Sequence, residues 1–306
     1  MRKINIGILL SYDYKYSIRC IQDIYTSADT ITLAIDKDRR TWAGNKYEFD
    51  EKFFDEIKKI DLYDKIKVYE DDFYDSSLTT IYNDIRERNM LLKVMETYEN
   101  SNSWNIQLDA DEYFIDFDGF VNYLRILEKR YPNSALCIYS NWKILFKKLE
   151  DGYLVINTAK NNPFPVATNC HEYWGCRSVE PSKAIRFISP FFAVHQSWAR
   201  EPKEIKQKIT NWGHNNDFDV DSYFNFWNSL DKDNYYKAKD FHPLSENKRD
   251  WLSLSYVKGD IDDVISEIGH TLPHIEYDIT KSYIKGWLAM KKAVLRNWMV
   301  KNGLWN

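Results

Sequence analysis

The chain has 306 residues, of which 44% are hydrophobic and 16% aromatic, and its formal net charge is −4. This length and composition allow a sizeable core and argue against a disordered chain, while the small net charge argues against a surface devoted to nucleic acid. The 22 tyrosines and 11 tryptophans are the unusual feature. Such rings line carbohydrate sites, and they are also common in large cores and interfaces.

The first segment of the chain reads MRKINIGILLSYDY, with a short apolar run that ends before Ser11 and Asp13. It lacks the small-residue cleavage site of a signal peptide, so we interpret it as a buried strand. No apolar run reaches about 18 residues, and the sequence therefore predicts no membrane-spanning helix and a cytoplasmic protein. The four scattered cysteines form no CxxC pair, which favours neither a zinc site nor a disulfide framework.

Apolar, strand-like runs alternate with segments of helical period in the first 200 residues. The runs are INIGILL, ITLAID, KIKVYE, WNIQLD, ALCIYS and FFAVH, and helical segments lie at 16–27, 53–60 and 78–98. This alternation predicts an α/β fold with a mostly parallel sheet flanked by helices. Ligands of such sheets bind beyond the carboxyl ends of the strands. Two strands end in acids, Asp36 and Asp109, and we expect both carboxylates to face one crevice together with the polar stretch 11–13.

Three acids follow one of these strands directly, in the sequence WNIQLDADEYF. Like charges repel one another and cost more when they are buried, so Asp109, Asp111 and Glu112 together indicate a cation site. A D-x-D at a strand end places its two aspartates on the same side, where they can share Mg²⁺ or Mn²⁺. Such a metal keeps positions open for phosphate oxygens, which favours a nucleotide diphosphate as its partner. A solvated acidic turn is the alternative.

The composition changes after residue 200. Residues 201–280 are rich in Asn, Asp and aromatics, and we predict a mainly helical region packed on the sheet. Residues 281–306 contain no acid and predict a basic amphipathic helix. This helix is suited either to an anionic membrane surface or to docking on its own protein. Its basic and apolar residues are Lys281, Lys285, Lys291, Lys292, Arg296 and Lys301, interleaved with Trp287, Leu288, Leu295, Trp298 and Trp305.

The stretch DIRERNMLLKVMETYENSNSWNIQLDADEYF resembles glycosyltransferase family 2 and its GT-A relatives, in which an Arg-Asn pair on a helix precedes a strand ending in the D-x-D. ILLSYDY is similar to the first strand and nucleoside-binding turn of that family, and TLAIDKD to its second strand. The resemblance covers roughly residues 4–120. NCHEYWG and FFAVHQSWAR are similar to later elements of some bacterial polysaccharide members. The resemblance implies a GT-A (Rossmann-like) catalytic domain, which we place at 1–200.

The resemblance also implies roles in binding the nucleotide. Tyr12, in the turn with Ser11, would lie against the nucleobase, and Asp36 would accept a hydrogen bond from its imide edge. Arg88 would lie near the donor pocket. Each residue has a structural alternative: Tyr12 an ordinary turn residue, Asp36 a helix or turn cap, and Arg88 a surface partner.

For the metal, the resemblance implies that Asp109 reaches the ribose or the cation and that Asp111 binds the cation directly. A late histidine commonly completes the metal shell in GT-A enzymes, and His195 follows the apolar FFAV. Imidazole is acceptable for Mn²⁺ and poor for Mg²⁺. A buried, hydrogen-bonded histidine is the alternative. His214 and His242 are competing candidates.

An inverting transfer needs a base that deprotonates the acceptor hydroxyl. The family often draws this base from an acid between the D-x-D and the late histidine, and we choose Glu172 in NCHEYWG. Tyr173 follows it where the family more commonly has an Asp, so the base and the stereochemistry stay open. Glu180 is the nearest rival, and a surface glutamate is the alternative.

We therefore predict a metal-dependent glycosyltransferase that transfers a sugar from a nucleotide diphosphate, most readily UDP, to a glycan or lipid-linked acceptor of a bacterial surface polysaccharide. The expected cofactor is Mn²⁺ or Mg²⁺, no nucleic acid is involved, and 281–306 is available for contact with an anionic membrane. Two alternatives stay open: a carbohydrate-binding protein with a structural cation, and a sugar nucleotidyltransferase. A haloacid dehalogenase phosphatase also uses a D-x-D, but on its first strand.

Overall fold

The computed structural model describes residues 1–98, 102–212, 217–244, 249–273 and 277–301. The strands in these residues are β1 Lys3–Leu10, β2 Thr30–Asp36, β3 Ile66–Asp71, β4 Ser103–Asp109, β5 Glu112–Phe114, β6 Leu136–Leu149, β7 Gly152–Thr158, β8 Asn162–Thr168, β9 Ile185–His195 and β10 Trp251–Lys258. The α-helices are α1 Ser17–Ile24, α2 Phe53–Ile60, α3 Thr80–Tyr98, α4 Phe117–Arg130, α5 Pro202–Asn211, α6 Val220–Ser229, α7 Ile261–Thr271 and α8 Ile279–Lys301.

The sheet starts with four parallel strands in the spatial order β3-β2-β1-β4. It continues through β8, β6, β7 and β10, which pair in antiparallel fashion. At its side, β9 pairs in parallel with β6 and antiparallel with the short β5. The predicted α/β fold with flanking helices and a helical C-terminal part is confirmed. The antiparallel extension is a feature that we did not predict from the sequence.

Helices cover both faces of the parallel strands because successive side chains of a strand point to opposite faces. On one face of β1, Gly7 and Leu9 lie against α3, and a Cβ added at Gly7 would come within 2.7 Å of side-chain atoms of Leu91 and Met95. Glycine therefore allows α3 to approach the sheet closely. The other face carries the main core, with α1, α2 and α4 above it. The β1 side chains of that face are Ile4, Ile6, Ile8 and Leu10.

The segment after residue 200 packs on the antiparallel part of the sheet. Its helices α5 and α6 form an aromatic-rich core with β6, β7 and β10, in which Trp198 and Trp227 are buried. Lys147 of β6 donates to the carbonyls of Trp227, Asn228 and Leu230 at 2.7–3.0 Å. This segment also adds β10 to the sheet, so the division into 1–200 and 201–280 stays a prediction.

The C-terminal helix α8 lies along β9. A Cβ added at Gly286 would come within 2.1 Å of the Arg186 carbonyl oxygen, so only glycine allows this approach of helix and strand. Among the described helices, none combines the length and hydrophobicity that crossing a lipid bilayer requires.

Candidate functional site

A cavity of about 520 Å³ lies at the carboxyl ends of β1, β2 and β4. Because these strands are parallel, the residues that follow them meet at one edge of the sheet. The structure brings together every predicted site residue except Glu172. Those that line the cavity are Ser11, Tyr12, Asp36, Arg88, Asp109, Asp111 and His195.

Asp36 holds the turn after β2. Its carboxylate accepts hydrogen bonds from the backbone N–H groups of Asp38, Arg40 and Phe73 at 3.0–3.1 Å, and from Nε and Nη2 of the Arg40 guanidinium at 3.0 and 3.2 Å. A carboxylate has about four lone-pair sites, so these five bonds leave no acceptor for a nucleobase. The geometry therefore favours the turn-capping alternative for Asp36 over the predicted nucleobase contact.

The rings of Tyr12 and Trp42 form part of the cavity lining. The Tyr12 ring centroid is 5.9 Å from the Arg200 guanidinium, and burial together with Asp13 raises the pKa of Tyr12. Trp42 follows β2 and its ring lies 5.7 Å from the guanidinium of Arg88. Both rings line the cavity and offer flat apolar surfaces to a planar ligand.

Arg88 crosses from α3 to the acidic strand end. Its side chain is only 3% exposed, and it donates from Nε to Asp84 Oδ1 at 2.5 Å and from Nη2 to Asp109 Oδ1 at 2.8 Å. Within the described residues its Nη1 has no hydrogen-bond partner. Arg88 thus lines the cavity and is buried rather than at the surface, and its role in binding a donor stays a prediction.

Arg200 is a cavity residue that we did not single out from the sequence, although it ends the quoted FFAVHQSWAR. The buried guanidinium donates from Nη2 to Asp13 Oδ2 at 2.9 Å and to Asp111 Oδ2. Its Nε and Nη1 have no partner among the residues that the structure describes. Buried donors without acceptors are costly, and because Arg88 and Arg200 both line the cavity, an anion placed against them there would be favoured.

The two aspartates of the D-x-D are held ionised by arginine. Burial alone would raise the pKa of Asp109, but the guanidinium groups of Arg177 and Arg88 lower it. Burial would also raise the pKa of Asp111, but the guanidinium of Arg200, with the nearby His195 ring, brings it well below its ordinary value. Part of the positive charge that the acid cluster requires is therefore supplied by the protein.

Glu112 is a buried structural acid. Its oxygens accept from Arg177 Nη1 and Nη2 at 2.7 and 3.1 Å, from Trp142 Nε1 at 3.0 Å and from the Asp109 backbone N–H at 3.1 Å. Four bonds satisfy this carboxylate. Glu112 thereby links the D-x-D turn to β6 and to the loop that carries Arg177.

His195 ends β9 and faces the D-x-D turn because its strand pairs with β5, where it lies opposite Glu112. Its Nε2 is 3.4 Å from Asp111 Oδ1, and its ring lies 4.8 Å from that of Trp142. His242 also lines the cavity, while His214 lies outside the described residues.

One group of potential metal ligands is found in the part of the chain that is described. Asp109, Glu112 and His195 each offer a ligand atom, and these atoms lie within 4.8 Å of one another. The donor set is compatible with a divalent cation. It includes two of the three predicted ligands, but Asp111 is not part of it, because the Asp111 oxygens face Arg200 and His195.

The structure does not bring Glu172 to the cavity. Its side chain is exposed and lines a second cavity of about 650 Å³, together with the rival Glu180. The loop that carries Glu172 is held on α3 by Asn89, which bonds the backbone N–H and carbonyl of Tyr173 at 2.9 and 3.1 Å. This attachment turns Glu172 outward and Arg177 inward, so the predicted base is placed away from the D-x-D.

Glu87 is a further cavity residue that we did not predict. It lies on α3, is 6% exposed, and accepts a hydrogen bond from Trp42 Nε1. Burial raises the pKa of Glu87 from 4.5 to about 8, against the opposing effect of the Trp42 bond. The sequence does not distinguish Glu87 from other residues, since an acid within a helix is common.

We expect the Glu87→Gln variant to change how stability depends on pH. With a pKa raised on folding, the native state holds more protons than the unfolded state between about pH 4.5 and 8, so the wild type loses stability as the pH rises through this window. The neutral amide of Gln removes this loss. Urea unfolding at several pH values measures this. As the pH rises from about 4.5 to 8, the free energy of unfolding of the variant should increase by a few kcal/mol relative to that of the wild type. Parallel pH profiles would contradict the assignment.

The sequence matches no protein-family model and no curated protein. Among solved structures, it is similar to the mannose-1-phosphate geranyltransferase from Thermus thermophilus, with a TM-score of 0.28 and 8% sequence identity. The similarity covers 56% of this chain and 51% of that enzyme, so the chain spans about half of that enzyme's length. Function therefore has to be argued from the side chains that line the cavity.

Proposed function

We propose that the cavity binds a nucleotide diphosphate sugar, with UDP as the favoured nucleotide, and that the protein transfers the sugar to a glycan or lipid-linked acceptor. The reaction would belong to bacterial surface polysaccharide synthesis in the cytoplasm, as the resemblance to glycosyltransferase family 2 implies. One observation carries the proposal: the buried guanidinium groups of Arg88 and Arg200 hold unpaired N–H groups beside acids at the carboxyl ends of parallel strands. A diphosphate offers the acceptors that these donors lack.

The walls of the cavity suit the two ends of such a donor. Tyr12 and Trp42 present rings for a nucleobase, beside the two arginines. Lys208 adds a third cationic side chain to the lining. The rest of the lining is rich in indole rings, on which the apolar faces of sugars rest. These are Trp142, Trp198, Trp212 and Trp251.

The acids that face the cavity suit a divalent cation as well. Asp109 and His195 would hold it, with Asp111 adjacent, because Glu112 already has four hydrogen bonds. A bound Mn²⁺ or Mg²⁺ would supply neutralisation of the charge on a departing diphosphate. Arg88 and Arg200 would donate hydrogen bonds to the same diphosphate, and because each is already paired with two carboxylates, the cation would supply net positive charge at that end.

In the proposed transfer, the acceptor hydroxyl oxygen bonds to the anomeric carbon while the bond from that carbon to the diphosphate breaks. The electron pair of the broken bond goes to the phosphate oxygen, where the guanidinium groups stabilise it. The hydroxyl proton goes to a base, and the position of Glu172 gives no support for that residue in the role. Inversion at the anomeric carbon stays part of the proposal.

A thermal-shift screen tests the donor site. UDP, GDP, CDP and dTDP, each with Mn²⁺ and with EDTA, should yield one nucleoside diphosphate that raises Tm by roughly 5 °C at a hundred times its Kd. CMP serves as a control that lacks the second phosphate. A Tm increase that requires Mn²⁺ supports metal-dependent binding of the nucleotide. A Tm increase that persists in EDTA indicates that the arginines bind the diphosphate without a metal ion.

No shift for any diphosphate would contradict the donor site and favour a carbohydrate-binding protein. The product released distinguishes a sugar nucleotidyltransferase from the proposed glycosyltransferase. An enzyme of that class releases pyrophosphate, whereas the proposed transfer releases a nucleoside diphosphate.

A further inference from the structure

The helix α8 presents large apolar side chains to solvent. Six of them are 44–55% exposed, although such residues normally form the buried stripe of a docked helix. Five of the six recur at spacings of three, four and seven residues, which places them on one side of the helix. We name this side the α8 face, and it consists of Ile284, Trp287, Leu288, Leu295 and Trp298.

The other side of α8 packs on the sheet near the start of the helix. Ser282 is buried, and Gly286 lies against the backbone of Arg186 in β9. After Gly286, none of the α8 side chains that are described is buried. The first two turns of the helix therefore dock on the protein, with Ile279 in the main core and the Tyr283 ring 5.8 Å from that of Phe187, while the side chains of the α8 face stay outside. Docking on its own protein, one of the two sequence alternatives, does not cover the α8 face.

Cationic side chains border the α8 face. Lys281, Lys285, Lys292 and Arg296 follow one flank of the helix and are exposed. Lys291 lies within the apolar face, with its Nζ 5.6 Å from the Trp287 ring centroid. From Lys281 to the end of the sequence there is no acid beside them on the helix itself. An occupant of this face must therefore be apolar at its centre and negatively charged around it.

We propose that the α8 face lies in the headgroup region of an anionic lipid bilayer. The tryptophan and leucine side chains would enter the boundary between headgroups and acyl chains, and the lysines would contact lipid phosphates. A second copy of the chain fits less well, because two copies paired through this face in a symmetric dimer would bring two acid-free basic helices together. The proposal is independent of the donor site, since no residue of the α8 face lines the cavity.

Vesicle co-sedimentation of the full chain tests the proposal. Vesicles of equal parts phosphatidylcholine and phosphatidylglycerol should bind the protein, and vesicles of phosphatidylcholine alone should bind it far more weakly. Combining Lys285→Gln, Lys292→Gln and Arg296→Gln should weaken binding to the mixed vesicles roughly a hundredfold. Combining Trp287→Ser with Leu295→Ser should weaken it at least tenfold, because about half of each side chain would become buried on binding.

A matched control removes the same charge elsewhere. Lys52, Lys58 and Lys59 are exposed on or beside α2, and their combined change to Gln should leave vesicle binding within about threefold of the wild type. Equal losses in this control and in the α8 variant would overturn the proposal, as would absence of wild-type binding to the mixed vesicles. Sedimentation equilibrium tests whether a second copy of the chain occupies the face instead. A dimer that dissociates when Trp287→Ser and Leu295→Ser are introduced would assign the α8 face to a second copy.

Discussion

Replacing Arg200 by Met should lower the free energy of unfolding by about 3–5 kcal/mol. The guanidinium bonds Asp13 and Asp111, and Asp111 is only 2% exposed on its side chain. Met fills a similar volume but leaves the buried carboxylate of Asp111 and the partly buried one of Asp13 without the guanidinium. Removing one partner of a buried ion pair costs more than the pair itself contributes, because the remaining charge loses its compensation and cannot regain water.

A second substitution tests this cause. Asp111→Asn removes one of the two carboxylate charges that Arg200→Met leaves without a partner, so the double variant should regain part of the lost stability. Urea unfolding of the wild type, the two single variants and the double variant gives the interaction energy. Lys148→Met is the matched control, because the Lys148–Glu201 pair is exposed and should contribute at most about 1 kcal/mol. Additive effects of Arg200→Met and Asp111→Asn would contradict the proposed coupling.

The regular elements were largely predictable because their hydrophobic patterns are strong. All six apolar runs identified in the sequence form strands, and the helix predicted at 53–60 has the observed bounds of α2. The parallel order of β1, β2 and β4 then brings the residues after each strand to one edge. Asp36 and Asp109 could therefore be placed at one cavity from sequence alone.

The antiparallel strands escaped prediction for local reasons. Strand β8 contains Pro163 and Pro165, which lack the N–H group that a central strand donates, and their half of the strand pairs with β6 rather than β4. Strand β10 has one neighbour, β7, with a register shift near Trp251, so many of its side chains are exposed and its apolar pattern is weak. Local composition disfavours these strands, and tertiary pairing overrides it.

The charges around the D-x-D show what a sequence does not contain. Arg177 and Arg200 are distant in the chain from Asp109 and Asp111, and nothing in the local pattern distinguishes them from surface arginines. Burial decides the matter, because a buried carboxylate requires a cation. The same limit applies to Glu172, which is five residues from the inward Arg177 yet faces solvent. Motif position located the site, and loop attachment decided which side chains enter it.

The largest effect on activity is expected for Arg88→Met, which should lower kcat/KM by roughly 10²–10³ for the donor found in the screen. In the proposed reaction the departing diphosphate gains negative charge, and a buried guanidinium with an unpaired Nη1 stabilises that charge in a site of low dielectric. Release of the nucleoside diphosphate with acceptor present measures the rate. Circular dichroism and urea unfolding establish that the variant is folded under the assay conditions.

Arg86 provides the matched control for Arg88, because it lies on the same helix two residues earlier and does not line the cavity. Its Nη1 donates to the Asp72 carbonyl at 2.6 Å, so Arg86→Met removes the same group from α3 without touching the donor site. We expect its kcat/KM to stay within about threefold of the wild type. Arg88→Lys should retain part of the activity, since Lys keeps the charge but loses the planar fork that bonds Asp84, Asp109 and the ligand together. Equal kcat/KM values for Arg88→Met and Arg86→Met would show that Arg88 does not contribute to the reaction. Its role would then be to neutralise the acids of the D-x-D turn.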